Sequence, residues 1–230
     1  MSAVTNSAIR RSRRLPAATV AEAVRPLKYA RPAGTLPPRL LMTDAARVAE
    51  PATDIARLKA GDAVIMRDYG LPERAAHARA LKRLCRQRGL LLLVAADARL
   101  ARAIGADGLH LPESLVAAPG WQRFKRPGWL VTAAAHSGAA IARAFSHGAD
   151  AVLVSPVFPT ASHPGGPALG LLRFARLARA SRLPVYALGG ISAATLRRLN
   201  GLPIAGIAGI SGVAGIRLPR RNPPRNPTRP

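Results

Sequence analysis

Two glycine-bearing stretches, Ala187-Leu188-Gly189-Gly190-Ile191 and Ala208-Gly209-Ile210-Ser211-Gly212, are well suited to hold an anion. Glycine lets the backbone come close to a phosphate, and free N–H groups at a following helix turn point toward it. A third stretch, GADAVLVSPVFPTASHPGGPALG at 148–170, begins as a buried strand and then becomes rich in hydroxyls, prolines and glycines. A connection of that length in a compact domain either binds something or is disordered. Its His163 could set a cation or a proton donor near a phosphate. The other histidines differ in prospect. His77 and His147 fall on helix faces, and His110 alternates along a strand, as a hydrogen-bonded core residue would. His136, beside Ser137, could cap a helix or move a proton, because an ordinary imidazole titrates near neutrality, at about 6.5. Cys85 has no partner for a disulfide and no neighbouring ligands for zinc.

These residues need elements to position them. From Leu40 onward, short apolar runs alternate with segments of helical period: LLMTD, AVIMRD, LLLLVAA, DGLHL, WLVTAA, AVLVSPVF, PVYALGG and IAGIAGIS are the runs. They are too short for lone helices and lack polar alternation, which fits strands buried on both faces of a parallel sheet. Eight strands alternating with helices predict a single (β/α)8 barrel over 39–215. An open doubly wound sheet is the competitor, but its G-x-G-x-x-G after the first strand is absent. In a barrel the active site collects at the C-terminal ends of the strands, and phosphate often sits after strands 7 and 8. The two glycine stretches hold those positions. The final helix is reduced, VAGIRLPRRNPP standing in its place, so that side of the barrel lacks cover or relies on another subunit. Trp121, Phe124 and Trp129, between strands 4 and 5, read as core residues.

In this order, GADGLHLPE, VTAAAHS, the 148–170 stretch, PVYALGGIS and AGIAGIS resemble the thiamine phosphate synthase and thiazole tautomerase superfamily of small (β/α)8 barrels, from Leu40 to about Gly212. The synthases of that superfamily expel pyrophosphate from a hydroxymethylpyrimidine diphosphate with Mg²⁺ and capture the carbocation with a thiazole phosphate. On this resemblance Arg67 matches the arginine of the Gln-Leu-Arg-Glu-Lys stretch, while Ile65 and Tyr69 stand where glutamine and lysine would. Thr160 and Ser162 match a Thr-x-Thr pair, and His163 replaces a lysine, so the three are expected to form part of a ligand lid. Gly189, Gly190, Ile210 and Ser211 match the thiazole-phosphate cradle, and Gly209, in the second glycine stretch, is expected to bind the phosphate with them. The metal-binding acids fall on Ala95, Ala96 and Leu115, and alanine and leucine offer Mg²⁺ no hard oxygen. Asp97 and Glu113 are the nearest acids. The tautomerases need no metal; they shift a proton to aromatise a thiazole carboxylate phosphate through a histidine that His136 matches. The resemblance therefore implies a thiamine-biosynthesis protein binding a thiazole phosphate or thiamine phosphate, with metal-independent proton transfer by His136. The alternatives are a divergent synthase, which alone would use Mg²⁺, and a non-catalytic phosphate-ligand binder.

Composition sets the remaining bounds. The formal charge of +24 invites a nucleic-acid reading. Residues 1–35 hold seven Lys/Arg against one Glu, and 216–230 hold five Arg and no acid, but the charges between are scattered along helix faces. Aromatic residues make up only 4% of the chain and show no base-stacking pattern. Nucleic-acid binding through the Arg-rich ends is thus the remote alternative. The segment 1–38 is expected to be a disordered basic arm and 216–230 a Pro/Arg-rich tail, neither resembling a secretory signal. No apolar run is long enough for a membrane span. A cytoplasmic protein, able to form a homo-oligomer, is expected.

Overall fold

The computed structural model describes residues 36–45, 51–160, 165–216 and 218. Eight parallel strands close into a barrel in simple sequential order. They are β1 (Arg39–Met42), β2 (Ala63–Met66), β3 (Leu91–Ala95), β4 (Gly108–Leu111), β5 (Leu130–Ala135), β6 (Ala151–Val154), β7 (Val185–Leu188) and β8 (Gly206–Gly209). Closure comes from β1 against β8, with Leu40 level with Ala208. The helices among the described residues are α1 (Pro51–Arg57), α2 (Arg74–Gln87), α3 (Ala98–Ala103), α4 (Gly138–Ser146), α5 (Gly170–Ala180) and α6 (Ala193–Leu196). The expected (β/α)8 barrel is present, and all eight apolar runs are its strands.

Side-chain alternation explains the two cores. Leu40, Ile65, Leu93, Leu130, Leu153 and Tyr186 point inward and fill the barrel. Their neighbours Leu41, Val64, Leu92, Val131, Val152 and Ile207 point outward under the helices. The helices meet them with apolar stripes at helical spacing: Ala78, Leu81 and Cys85 on α2, and Phe174, Ala175 and Ala178 on α5. Burial pushes the Cys85 thiol up to about 12, so it is packing material rather than a nucleophile.

The repeated Gly-Ala-Asp triplets have a structural purpose. Gly105 and Gly148 adopt φ of 66° and 81°, turning the chain out of the preceding helix. Asp107 then accepts the N–H of Leu92 at 2.8 Å, and Asp150 that of Val131 at 2.7 Å, pinning each new strand to its neighbour. The floor of the barrel is closed by Tyr186, whose hydroxyl donates to the Pro37 carbonyl at 2.8 Å, and by the buried Arg39–Asp62 ion pair at 2.8 Å. Arg39 also donates to the Ile216 carbonyl at 3.1 Å, so both edges of the described barrel chain meet there.

Two connections lack regular helices. Between β4 and β5 lie short 3-10 turns at Glu113–Leu115 and Gln122–Phe124, with Trp121 and Trp129 buried. After β8 the described chain makes only a 3-10 turn, Val213–Gly215, as the reduced final helix predicted. Of the arm expected over 1–38, residues 1–35 lie outside the described residues, while 36–38 pack on the barrel, Leu36 buried and the Pro37 and Pro38 carbonyls accepting from Tyr186 and Ile207. Of the tail expected over 216–230, only Ile216, buried, and Leu218 are described.

Candidate functional site

A cavity of about 510 Å³ opens at the C-terminal ends of the strands and gathers most of the sequence candidates. Arg67, His136, Thr160, Gly189, Gly190, Gly209, Ile210 and Ser211 all line it. They come from the ends of β2, β5, β6, β7 and β8, positions no shorter-range pattern would bring together. Ser162 and His163 lie outside the described residues.

The glycines are needed for close packing. Gly189 (φ 95°) and Gly190 (φ 66°) lie in the left-handed region. A Cβ on Gly190 would come within 2.5 Å of the Pro159 carbonyl oxygen, and one on Gly189 within 2.8 Å of Pro156 Cβ. The chain leaving β6 therefore lies directly against them, Val157 and Phe158 donating their N–H groups to the Leu188 and Gly189 carbonyls at 2.9 and 3.1 Å. This contact builds one cavity wall. The N–H groups of Gly190, Ile191, Ser211 and Gly212 have no partner among the described residues. Two sets of unengaged amides beside one cavity are the donors an anion needs.

Arg67 enters from the end of β2, two strands round the barrel from β8. Its guanidinium lies 3.6 Å from the Asp44 carboxylate, and its backbone N–H donates to Thr43 Oγ1 at 3.0 Å. Burial raises the Tyr69 phenol despite the opposing pull of Arg67 and Arg74, so it is neutral where the resemblance would have a lysine. Inside the barrel, His110 is level with Ala95 and shares a hydrogen bond with Thr132 Oγ1 at 2.9 Å. Burial, with the Arg67 charge adding to it, lowers the His110 imidazole to about 3. It is the hydrogen-bonded core histidine its alternation predicted.

His136 is held differently. Its ring Nδ1 lies 2.8 Å from the Ser155 carbonyl oxygen. A carbonyl only accepts, so Nδ1 carries the proton and the neutral ring keeps its lone pair on Nε2. Helix capping is done instead by Ser137, which accepts the Ala140 N–H at 3.1 Å. His147 is bonded to the Arg143 carbonyl at the end of α4, and His77 faces Asp68 at 3.8 Å.

The acids nearest a family metal site are engaged elsewhere. Asp97 caps α3 through the Leu100 N–H at 2.8 Å and pairs with Arg74 at 3.3 Å. Glu113 pairs with Arg143 at 3.0 Å and accepts the His136 N–H at 3.1 Å. Ala95, Ala96 and Leu115 contribute no oxygen side chain, and among the described residues no three His, Cys, Asp or Glu side chains cluster to hold a metal ion. This donor set does not fit Mg²⁺. Ala96 nevertheless keeps φ 63°, a left-handed turn unusual for alanine.

Together the fold and cavity define a small (β/α)8 barrel with a ligand site built on the C-terminal ends of its strands. The sequence profile of the thiamine monophosphate synthase family matches residues 41–213, and the chain belongs to that family. A thiamine-phosphate synthase of Methanoculleus marisnigri is 38% identical over 150 residues, covering 63% of this chain and 71% of its own. One from a Mycobacterium species is 37% identical over 118 residues, half of this chain and 52% of its own. Among solved structures, thiamine phosphate pyrophosphorylase from Pyrococcus furiosus superposes with a TM-score of 0.64 at 25% identity, covering 80% of this chain and 90% of its own. No helix among the described residues is long and apolar enough to cross a membrane.

Proposed function

We propose that this protein binds a thiazole phosphate in its strand-end cavity and isomerises the ring by metal-independent proton transfer through His136. The observation that carries this reading is the Ser155 carbonyl on Nδ1, which leaves Nε2 basic in the same cavity as the glycine cradle. The phosphate lies on the free amides after β7 and β8, with Ser211 beside them and Arg67, at the end of β2, balancing negative charge in the same cavity. The apolar ring rests against Pro156, Leu188 and Ile210. His136 Nε2 removes a proton from one ring position and, as imidazolium held by Ser155, returns a proton to the other; the sum is an isomerisation. Ser162 and His163, outside the described residues, are proposed on the family resemblance to contact the same phosphate. The chemistry suits a cytoplasmic protein.

Isothermal titration with the thiazole phosphate should show binding that EDTA does not alter. The tautomer of thiazole carboxylate phosphate should be consumed by the wild type and not by His136→Ala. Absence of binding at millimolar ligand would defeat the proposal.

A second reading is favoured by the names of the relatives: a divergent synthase joining hydroxymethylpyrimidine diphosphate to thiazole phosphate. Complementation of a thiamine-requiring strain lacking its synthase separates the two. Rescue would establish the coupling reaction despite Ala95, Ala96 and Leu115. If the ligand binds and neither reaction runs, the protein is a phosphate-ligand binder.

A further inference from the structure

Glu113 lines no part of the strand-end cavity, yet it is tied to the residue that would do the chemistry. It opens the 3-10 turn after β4, and its two carboxylate oxygens serve two different donors. Oε2 accepts the backbone N–H of His136 at 3.1 Å, and Oε1 accepts from Arg143 Nη2 at 3.0 Å. Both contacts are distant in sequence, His136 ending the β5 segment and Arg143 lying on α4. One carboxylate thus bridges the turn that carries the imidazole and the helix that follows. The ring is held at its other end by the Ser155 carbonyl. Backbone and side chain of His136 are therefore fixed from β4 and β6, the strands on either side of β5.

We propose that Glu113 is a positioning residue for His136, fixing its backbone so that Nδ1–H reaches Ser155 and Nε2 keeps its lone pair toward the ligand. The inference rests on His136 being the proton-transfer group. A carboxylate suits the task because it offers acceptors to two donors and no competing donor of its own. Without it the His136 N–H turns to water, the turn loosens, and the imidazole samples both neutral tautomers. The Nε2–H tautomer is useless as a base toward the cavity. Misplacement of about 1 Å in such a group costs roughly 10²-fold in rate.

The test reads the tautomer directly by ¹⁵N NMR of the His136 ring in the full chain, assigned with His136→Asn, and reads thiazole-phosphate affinity by titration. The wild type should show Nδ1–H with an unprotonated Nε2. Glu113→Ala should show a mixture of tautomers, an isomerisation kcat lowered about 10- to 100-fold and a Kd unchanged within about twofold. Glu113→Gln, whose amide oxygen can still accept the His136 N–H, should restore the Nδ1–H tautomer. Glu113→Met, similar in length but without an acceptor, gives the same readout as alanine if the alanine variant fails to fold. The His110 signal, bonded to Thr132 inside the barrel, reports on the fold throughout. An unchanged His136 tautomer in folded Glu113→Ala or Glu113→Met overturns the proposal. Failure of the wild type to bind the thiazole phosphate overturns the function proposed above, while the tautomer measurement still decides the role of Glu113.

Discussion

Two histidines of the same barrel sit in opposite surroundings. His136 is exposed at the cavity with Nδ1 on the Ser155 carbonyl, the geometry on which the proposed proton transfer rests. His110 is sealed in the interior, where burial and Arg67 hold it neutral down to about 3. For His136→Ala we expect proton transfer to fall by about 10²–10⁴ while ligand affinity holds, measured by parallel kinetics and titration. For His110 the expectation concerns stability. Its folded value lies below the ordinary 6.5, so the unfolded chain binds the extra proton between those limits. Its contribution is complete above pH 6.5 and is lost as pH falls toward 3, at no more than about 1.4 kcal/mol per pH unit. Urea denaturation at pH 7 and pH 5 should show the wild type losing about 2 kcal/mol more than His110→Gln. Equal losses would show that His110 is not the group responsible.

At the level of elements, the strand ends carry the constraints. Gly190→Ala places a Cβ into the Pro159 carbonyl at a positive φ, so it should lose about 2 kcal/mol or more of stability and also weaken phosphate binding. Ala96→Gly should gain roughly 1 kcal/mol, because alanine at φ 63° bears a left-handed strain that glycine does not. Denaturant melts of the two variants check both signs. Strands and glycine turns were legible because each is a local pattern: AVLV is apolar throughout, and Gly-Gly after PVYAL marks a turn wherever it lands. The roles of acids were not. Asp97 and Glu113 read as stray carboxylates, the nearest stand-ins for missing metal ligands. Their duties are a cap, a pair with Arg74 and a tether on His136. Only the cap has a short-range signature, Asp97 preceding ARLARA; a bond across 23 residues leaves none. The Gly-Ala-Asp triplets are visible as repeats, yet their meaning appears only when each aspartate reaches the neighbouring strand.

The whole barrel is fastened at its floor and opens its cavity at the other end. Arg39 and Asp62 are nearly sealed from solvent, with side-chain exposures of 8% and 1%. Arg39 Nε and Asp62 Oδ1 have no hydrogen-bond partner among the described residues. Removing one partner strands the other charge, so Arg39→Met should cost about 3–5 kcal/mol by denaturant melting, with strand-end ligand affinity retained in the folded fraction. The closed barrel was readable from eight apolar runs and from the missing dinucleotide fingerprint. The locks on its floor were not, because Tyr186 meets Pro37 across 149 residues and Arg39 meets Ile216 across 177.

The most direct test is isomerisation of the thiazole carboxylate phosphate tautomer in the presence of EDTA, with wild type and His136→Ala side by side and each variant's Kd measured by titration. The expected result is turnover by the wild type, at least a 100-fold loss in the variant, and affinities equal within about twofold. A bound ligand with no acceleration by the wild type, or equal rates with and without His136, would contradict it.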